Sequence, residues 1–223
     1  MLHGSEDKPE VSSDAHGCTT DTAGYLITIG DVKDGYCVWD TPGLNEGRGG
    51  AVAALDALLK IHGLVQSLIR NGKRVDLLIY CIRASRFRSI LRVNYDLVAK
   101  TICKQKVPVV AVVTGLENQE NMDGWWEDNK EYFNEMAFEG HACVTTTKGK
   151  KVGDSFVFEE EYTESNIQVQ HLIQKSMSKG EVPLTEDTNI EKEIRIYMAD
   201  HNSRVEKERG LLGLFSRMLR YVW

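Results

Sequence analysis

The sequence has no run of about 20 apolar residues, the length that spans a bilayer as a helix. Its first residues also hold no apolar stretch of the kind that directs secretion. Together these absences make a soluble, cytoplasmic protein the expectation. Cysteine is sparse. Cys18, Cys37, Cys81, Cys103 and Cys143 are odd in number, scattered and mostly set in apolar runs, which is neither a disulfide framework nor a paired zinc spacing. The six histidines add no ligand spacing, so a metal or thiol enzyme is disfavoured. Positive charge is also short: 27 Lys and Arg against 33 Asp and Glu leave a net charge of −6, which argues against nucleic acid as a partner. What is present is an ordinary globular composition, 42% hydrophobic and 27% charged, over 223 residues, enough for one domain and a tail. No internal repeat interrupts it.

From about residue 25 the pattern alternates strand and helix. Tyr25 to Ile29 is a short alternating run, Gly30 to Gly35 supplies a turn, and a second alternating run ends at Asp40, so an antiparallel hairpin is expected. After Gly49-Gly50, Leu55, Leu58, Ile61, Val65 and Ile69 recur at helical spacing up to the stop signal Asn71-Gly72. Val75 to Ala84 and Val107 to Thr114 are nearly continuous apolar runs rich in β-branched residues, which suit strands covered on both faces. Helices are expected over about 89–103, 125–136 and 165–177, and a shorter strand over 142–146. Strand and helix in this order give a parallel sheet with helices on both faces. Lys148 to Glu161 is charged and contains glycine, so it reads as an exposed excursion. A Gly-Glu-Val-Pro break at 180–183 separates a domain over 1–178 from a helical C-terminal extension over 179–223. At its end Leu211, Leu212, Leu214, Phe215, Met218 and Leu219 share one helical face, with Arg209, Arg217 and Arg220 elsewhere on the wheel. Such a segment docks on the domain or a partner helix, or lies on a membrane surface through residues 209–223.

Asp40-Thr41-Pro42-Gly43 stands where the second strand of the hairpin runs out into a loop. Ligands of open α/β sheets bind beyond the carboxyl ends of strands, and D-x-x-G there lets the carboxylate reach a Mg²⁺ water while the glycine amide reaches a γ-phosphate. A base-reading element is then expected at the end of a later buried strand, where Thr114-Gly115-Leu116-Glu117 lies. A carboxylate at Glu117 can accept from the guanine ring N–H and exocyclic amine, a pairing adenine cannot offer, although an acid after a strand is also commonly a solvated loop residue. Upstream, Cys18-Thr19-Thr20 offers a threonine hydroxyl for Mg²⁺, and the same segment also reads as a plain loop. Thr145-Thr146-Thr147-Lys148 follows the last strand, where a loop backbone commonly supports a base.

Joined in order, Ser12-Ser13-Asp14-Ala15-His16-Gly17-Cys18-Thr19, Trp39-Asp40-Thr41-Pro42-Gly43-Leu44, Val112-Val113-Thr114-Gly115-Leu116-Glu117 and Gly140-His141-Ala142-Cys143-Val144-Thr145 resemble a known family. It is a family of fungal GTPase-like G-domain proteins, related to the avirulence-induced and immunity-associated GTPases and more distantly to septins. The resemblance covers about residues 1–178. It implies an α/β, three-layer P-loop NTPase-like G domain that binds GTP or GDP with Mg²⁺ and hydrolyses GTP. By the same resemblance Thr19 and Asp40 would serve the metal, Gly43 the γ-phosphate, and Thr114, Glu117, Thr145 and Thr146 the base. Trp125-Trp126 fits the family's run after the base loop, but two adjacent tryptophans on a helix are expected to anchor it. A second copy or another protein remains open as a partner.

Three departures qualify the resemblance. Gly115 stands where a lysine stem usually covers the base, and Leu44 stands where some small GTPases carry the glutamine that orients water, so intrinsic hydrolysis is expected to be slow. There is also no G-x-x-x-x-G-K-[ST]; Asn71-Gly72-Lys73-Arg74 and Gly149-Lys150-Lys151 lack both the spacing and the hydroxyl residue. Met1 to Gly4 resembles the end of the helix that a P-loop opens, which puts the first strand and the phosphate loop upstream. Two expectations follow: an open slot in the sheet between the strands ending at Asp40 and Ala84, and weakened nucleotide binding. The competing expectation is a nucleotide-independent scaffold recruited through its C-terminal amphipathic helix.

Overall fold

The computed structural model describes residues 21–29, 35–44, 50–85, 87–177, 184–201 and 203. Among them the central element is β4 (Val109–Thr114), flanked in parallel by β3 (Leu78–Arg83) and β5 (Gly140–Cys143). The architecture is mixed α/β, with helices packed on a three-stranded parallel sheet. β4 is apolar throughout because it is buried on both sides. Val109 and Ala111 join Ile82, Tyr95, Phe133 and Met136 on one face. Val110 and Val112 join Ala142, Val144, Val169, Leu172 and Ile173 on the other. At about 1.5–3 kcal/mol for each large apolar side chain fully buried, these two clusters dominate the sheet's stability.

The first face is covered by α2 (Ser89–Tyr95), its π-helical continuation over Asp96–Ile102, and α3 (Met122–Asn129) with a following tight turn, Lys130–Phe133. Asn121 caps α3, its Oδ1 accepting from the Gly124 N–H at 3.3 Å. Asn129 closes it by donating to the Trp125 carbonyl at 2.7 Å. These two asparagines shift the helix three residues upstream of the expected 125–136 span and shorten it. The second face carries α4 (Glu159–Met177) and the hairpin of β1 (Ala23–Ile27) and β2 (Tyr36–Asp40). Between β5 and α4 the excursion forms a small hairpin of β6 (Lys151–Val152) and β7 (Ser155–Phe156). It is tied down by Lys148, whose Nζ meets Glu159 Oε1 at 3.1 Å and lies over the Phe156 and Tyr162 rings at 5.6 and 5.5 Å.

The hairpin pairs as expected, antiparallel from Ala23↔Asp40 to Ile27↔Tyr36. It is not hydrogen-bonded to β3 and instead packs through Ile27 and Ile29 into the cluster shared with α4. The Leu78 N–H donates to Pro108 O and the Ala84 N–H to Thr114 O, both at 2.9 and 2.8 Å respectively. Alternate residues of a parallel strand face the same neighbour, so Ile79, Cys81 and Arg83 turn their backbone groups away from β4. No strand pairs with that edge among the described residues.

α1 (Gly50–Arg70) ends at the Asn71-Gly72 stop. Gly72 takes φ +68°, its N–H donates to Ile69 O at 3.0 Å and the Lys73 N–H donates to Leu68 O at 2.9 Å, so the last carbonyls are satisfied by a left-handed glycine cap. The extension does not stand apart from this helix. A fifth helix, α5 (190–201), buries Ile190, Ile194 and Met198 with Leu58, Ile61 and Val65 of α1 and Leu97 and Ile102 of the π-helical segment. Lys104, held at the unusual φ of 51°, braces it with Nζ 3.2 Å from Glu193 and 3.4 Å from Asp187. The amphipathic segment 209–223 lies outside the described residues.

Ile194 is fully buried and Ile196, two residues on, is 59% exposed. Ile194→Ala is therefore expected to lower the unfolding free energy by about 2–4 kcal/mol and Ile196→Ala by less than about 0.5 kcal/mol. Urea unfolding of both variants measures the difference; equal effects would show that α5 is not part of the core.

Candidate functional site

The carboxyl ends of β4 and β5 lie side by side. The Val144 N–H donates to Val113 O at 2.8 Å, which brings the loop after β5 against the end of β4. Thr114 closes β4, half-buried, and the chain turns at Gly115, whose φ of +81° few side-chain-bearing residues adopt. Leu116 is 1% exposed and packs with Val113 and Cys143, and the Gln119 N–H closes the turn on Leu116 O at 2.9 Å. This buried anchor holds the half-buried Glu117 at the rim with its carboxylate in no ion pair among the described residues.

The loop after β5 is fixed by its own hydroxyls. The Thr145 N–H donates to Ser165 Oγ of α4 at 3.1 Å, and both residues are fully buried. Thr145 Oγ1 donates to Thr147 O at 3.1 Å and accepts from the Thr147 N–H at 3.3 Å, while Thr147 Oγ1 accepts from the Gly149 N–H at 3.0 Å. Thr145 thus spends its side chain on shaping the loop, and the exposed Thr146 is the residue presented outward. Trp125 and Trp126 pack behind Leu116 and Cys143. Trp126 stacks on His141 at 4.2 Å and on Phe133 at 5.2 Å, so the pair anchors α3 under the rim. Burial lowers the His141 pKa, with the Asp123 and Glu127 carboxylates opposing that shift.

The elements from the hairpin are placed separately. Asp40 ends β2, Pro42 is buried and Gly43 is exposed. Leu44 packs against the cluster of α1 and α5, which explains an apolar residue at this position: it ties the loop to the core. Asp40 lies within electrostatic reach of Cys81 on β3. The Cys81 side chain is open to solvent, yet protein crowds the thiol; burial raises its pKa and the Asp40 carboxylate raises it further. The structure therefore gathers Thr114, Glu117, Thr145 and Thr146 on one rim, and sets Asp40 and Gly43 on the hairpin that packs over the sheet. Thr19 lies outside the described residues. No group of three His, Cys, Asp or Glu residues among the described residues is placed to hold a metal ion.

Two residues of the rim escape the sequence reading. Ser165, inside an otherwise amphipathic helix, gives no signal that it receives a loop amide from the end of β5. Arg83 does give one: it is the charged residue that ends an apolar strand run opposite Thr114 in register. A shallow hollow of about 510 Å³ also exists, lined by Glu159, Glu160, Thr163, Glu164, Ile167 and Gln168. All of its walls come from α4.

Compared with known proteins, the chain matches no family model and no curated sequence.

The Asp40 and Cys81 neighbourhood is measurable. Removing the negative charge with Asp40→Asn is expected to lower the Cys81 pKa, so that its alkylation by iodoacetamide at a fixed mildly alkaline pH speeds up and the pH–rate midpoint moves down. Peptide mapping reads Cys81 separately from Cys37. An unchanged midpoint would place Asp40 away from β3.

Proposed function

We propose that this chain is a guanine-nucleotide-binding protein of the P-loop GTPase superfamily, taking GTP or GDP with Mg²⁺ and working in the cytoplasm. The observation that carries this reading is the rim at the carboxyl ends of β4 and β5, where Glu117, in no ion pair among the described residues, lies beside a hydroxyl-locked loop at Thr145–Thr147. A carboxylate held at that end of a parallel sheet is suited to accept the two donors on the guanine edge. Asp40 and Gly43 would serve Mg²⁺ and the γ-phosphate once the hairpin meets a bound nucleotide, with Thr19 as the third element. Turnover would be slow: Leu44 is packed into the core and offers no group to orient water. Among the described residues no helix is long and apolar enough to cross a membrane, and any membrane contact would fall to residues 209–223.

A scaffold that keeps this shape without nucleotide is the second reading. It is favoured by the hairpin's separation from β3, which leaves Asp40 and Gly43 on a different sheet from Glu117.

Titration with ribose-labelled fluorescent GTP, with and without Mg²⁺, distinguishes the two. The nucleotide reading expects saturable binding, tightened by Mg²⁺ and displaced by GDP but not by ADP, with Glu117→Ala losing that preference by about tenfold or more. Absence of saturable binding by the folded chain would leave the scaffold reading.

A further inference from the structure

The side chain of Arg83 lies within van der Waals reach of the turn at Gly115. A Cβ built on Gly115 would lie 3.5 Å from Arg83 Cγ and 3.8 Å from Arg83 Nε. The arginine stem therefore runs across the backbone of the turn after β4 instead of extending straight into water. Arg83 is exposed, pairs in register with Thr114, and makes no ion pair among the described residues. The φ of +81° at Gly115 disfavours any side chain there, and a Cβ at this position would make ordinary van der Waals contact with the stem of Arg83. A lysine at position 115 is thus opposed by the backbone conformation.

We infer that Arg83, reaching over from β3, covers the face of a guanine whose edge is read by Glu117. This rests on the guanine-nucleotide reading of the rim. The guanidinium is planar, weakly hydrated and permanently charged, and it stacks on aromatic rings where an ammonium group would stay solvated. Glu117 lies two residues beyond the glycine that Arg83 overlies, so a planar cation for the base face and a carboxylate for the base edge converge on one turn. The stem absent at Gly115 is in this way supplied by the neighbouring strand. Arg83 is a specificity-neutral contact by this account: it grips the face of a purine, while Glu117 chooses which purine.

The test is displacement of ribose-labelled fluorescent GDP from the wild-type chain and from Arg83→Ala, Arg83→Lys and Glu117→Gln, with GDP, guanosine and ADP as competitors. Unfolding curves should show that the exposed Arg83 variants remain folded. Arg83→Ala is expected to weaken both GDP and guanosine about tenfold, as loss of one stacking partner does, and Arg83→Lys to recover only part of it. Glu117→Gln should instead erode the preference for GDP over ADP. A loss for GDP with none for guanosine would place Arg83 on the phosphates and overturn the inference. Unchanged affinity in Arg83→Ala beside a weakened Glu117→Gln would overturn it while leaving the nucleotide site standing. No binding by the wild-type chain would remove the inference together with the reading beneath it.

Discussion

β4 drives side chains into both faces of the sheet, and each layer of the protein is held by what it packs against there. Val109, Ala111 and Val113 lie on one side and Val110 and Val112 on the other, all buried. A strand with no polar face cannot be an edge or a surface element, and its two neighbours in parallel fix the direction of the sheet. That direction decides where function can be built. The strand ends of β4 and β5 point to the same rim, and the residues there are loops anchored by buried side chains, Leu116 on one and Thr145 on the other.

The rim's rigidity comes from unlike sources. The turn after β4 is held by apolar burial and by a glycine that supplies a backbone geometry other residues resist. The loop after β5 is held by hydrogen bonds among threonines and by the Ser165 hydroxyl from α4. Because Thr145 and Ser165 are both fully buried, that contact satisfies an amide which would otherwise cost about 1–3 kcal/mol to leave unpaired. The two anchored loops flank the Glu117 carboxylate, which makes no ion pair among the described residues. The hairpin end at Asp40 and Gly43 is placed differently, on its own two-stranded sheet and held by Ile27 and Ile29 rather than by a ladder.

Much of this architecture is legible in the residues themselves. The Val107–Thr114 run, the Asn71-Gly72 stop and the Tyr25–Asp40 hairpin are local signals, set by β-branched burial, left-handed glycine and turn chemistry, and each forms the expected element, with the first hairpin strand two residues upstream at Ala23–Ile27 and β4 starting at Val109. Boundaries fail where side chains cap out of turn: Asn121 and Asn129 displace α3, and Glu159 to Glu161 start α4 before the expected Ser165. The docking of α5 was hidden because apolar spacing at Ile190, Ile194 and Met198 states that a face is buried but not against what. Site residues followed the same division. Glu117 and Thr145 are readable as strand-end residues, whereas Arg83 over Gly115 is a contact between two strands, which no window of sequence contains.

On the proposed reading, a guanine nucleotide binds at the β4–β5 rim. Titrating ¹⁵N-labelled protein with GDP and following backbone amide shifts tests it most directly. Saturable shifts concentrated at Gly115 to Glu117 and Thr145 to Thr147 are expected, with the outer face of α4 unmoved. Shifts confined to α4, or none on the rim at saturating GDP, would contradict it.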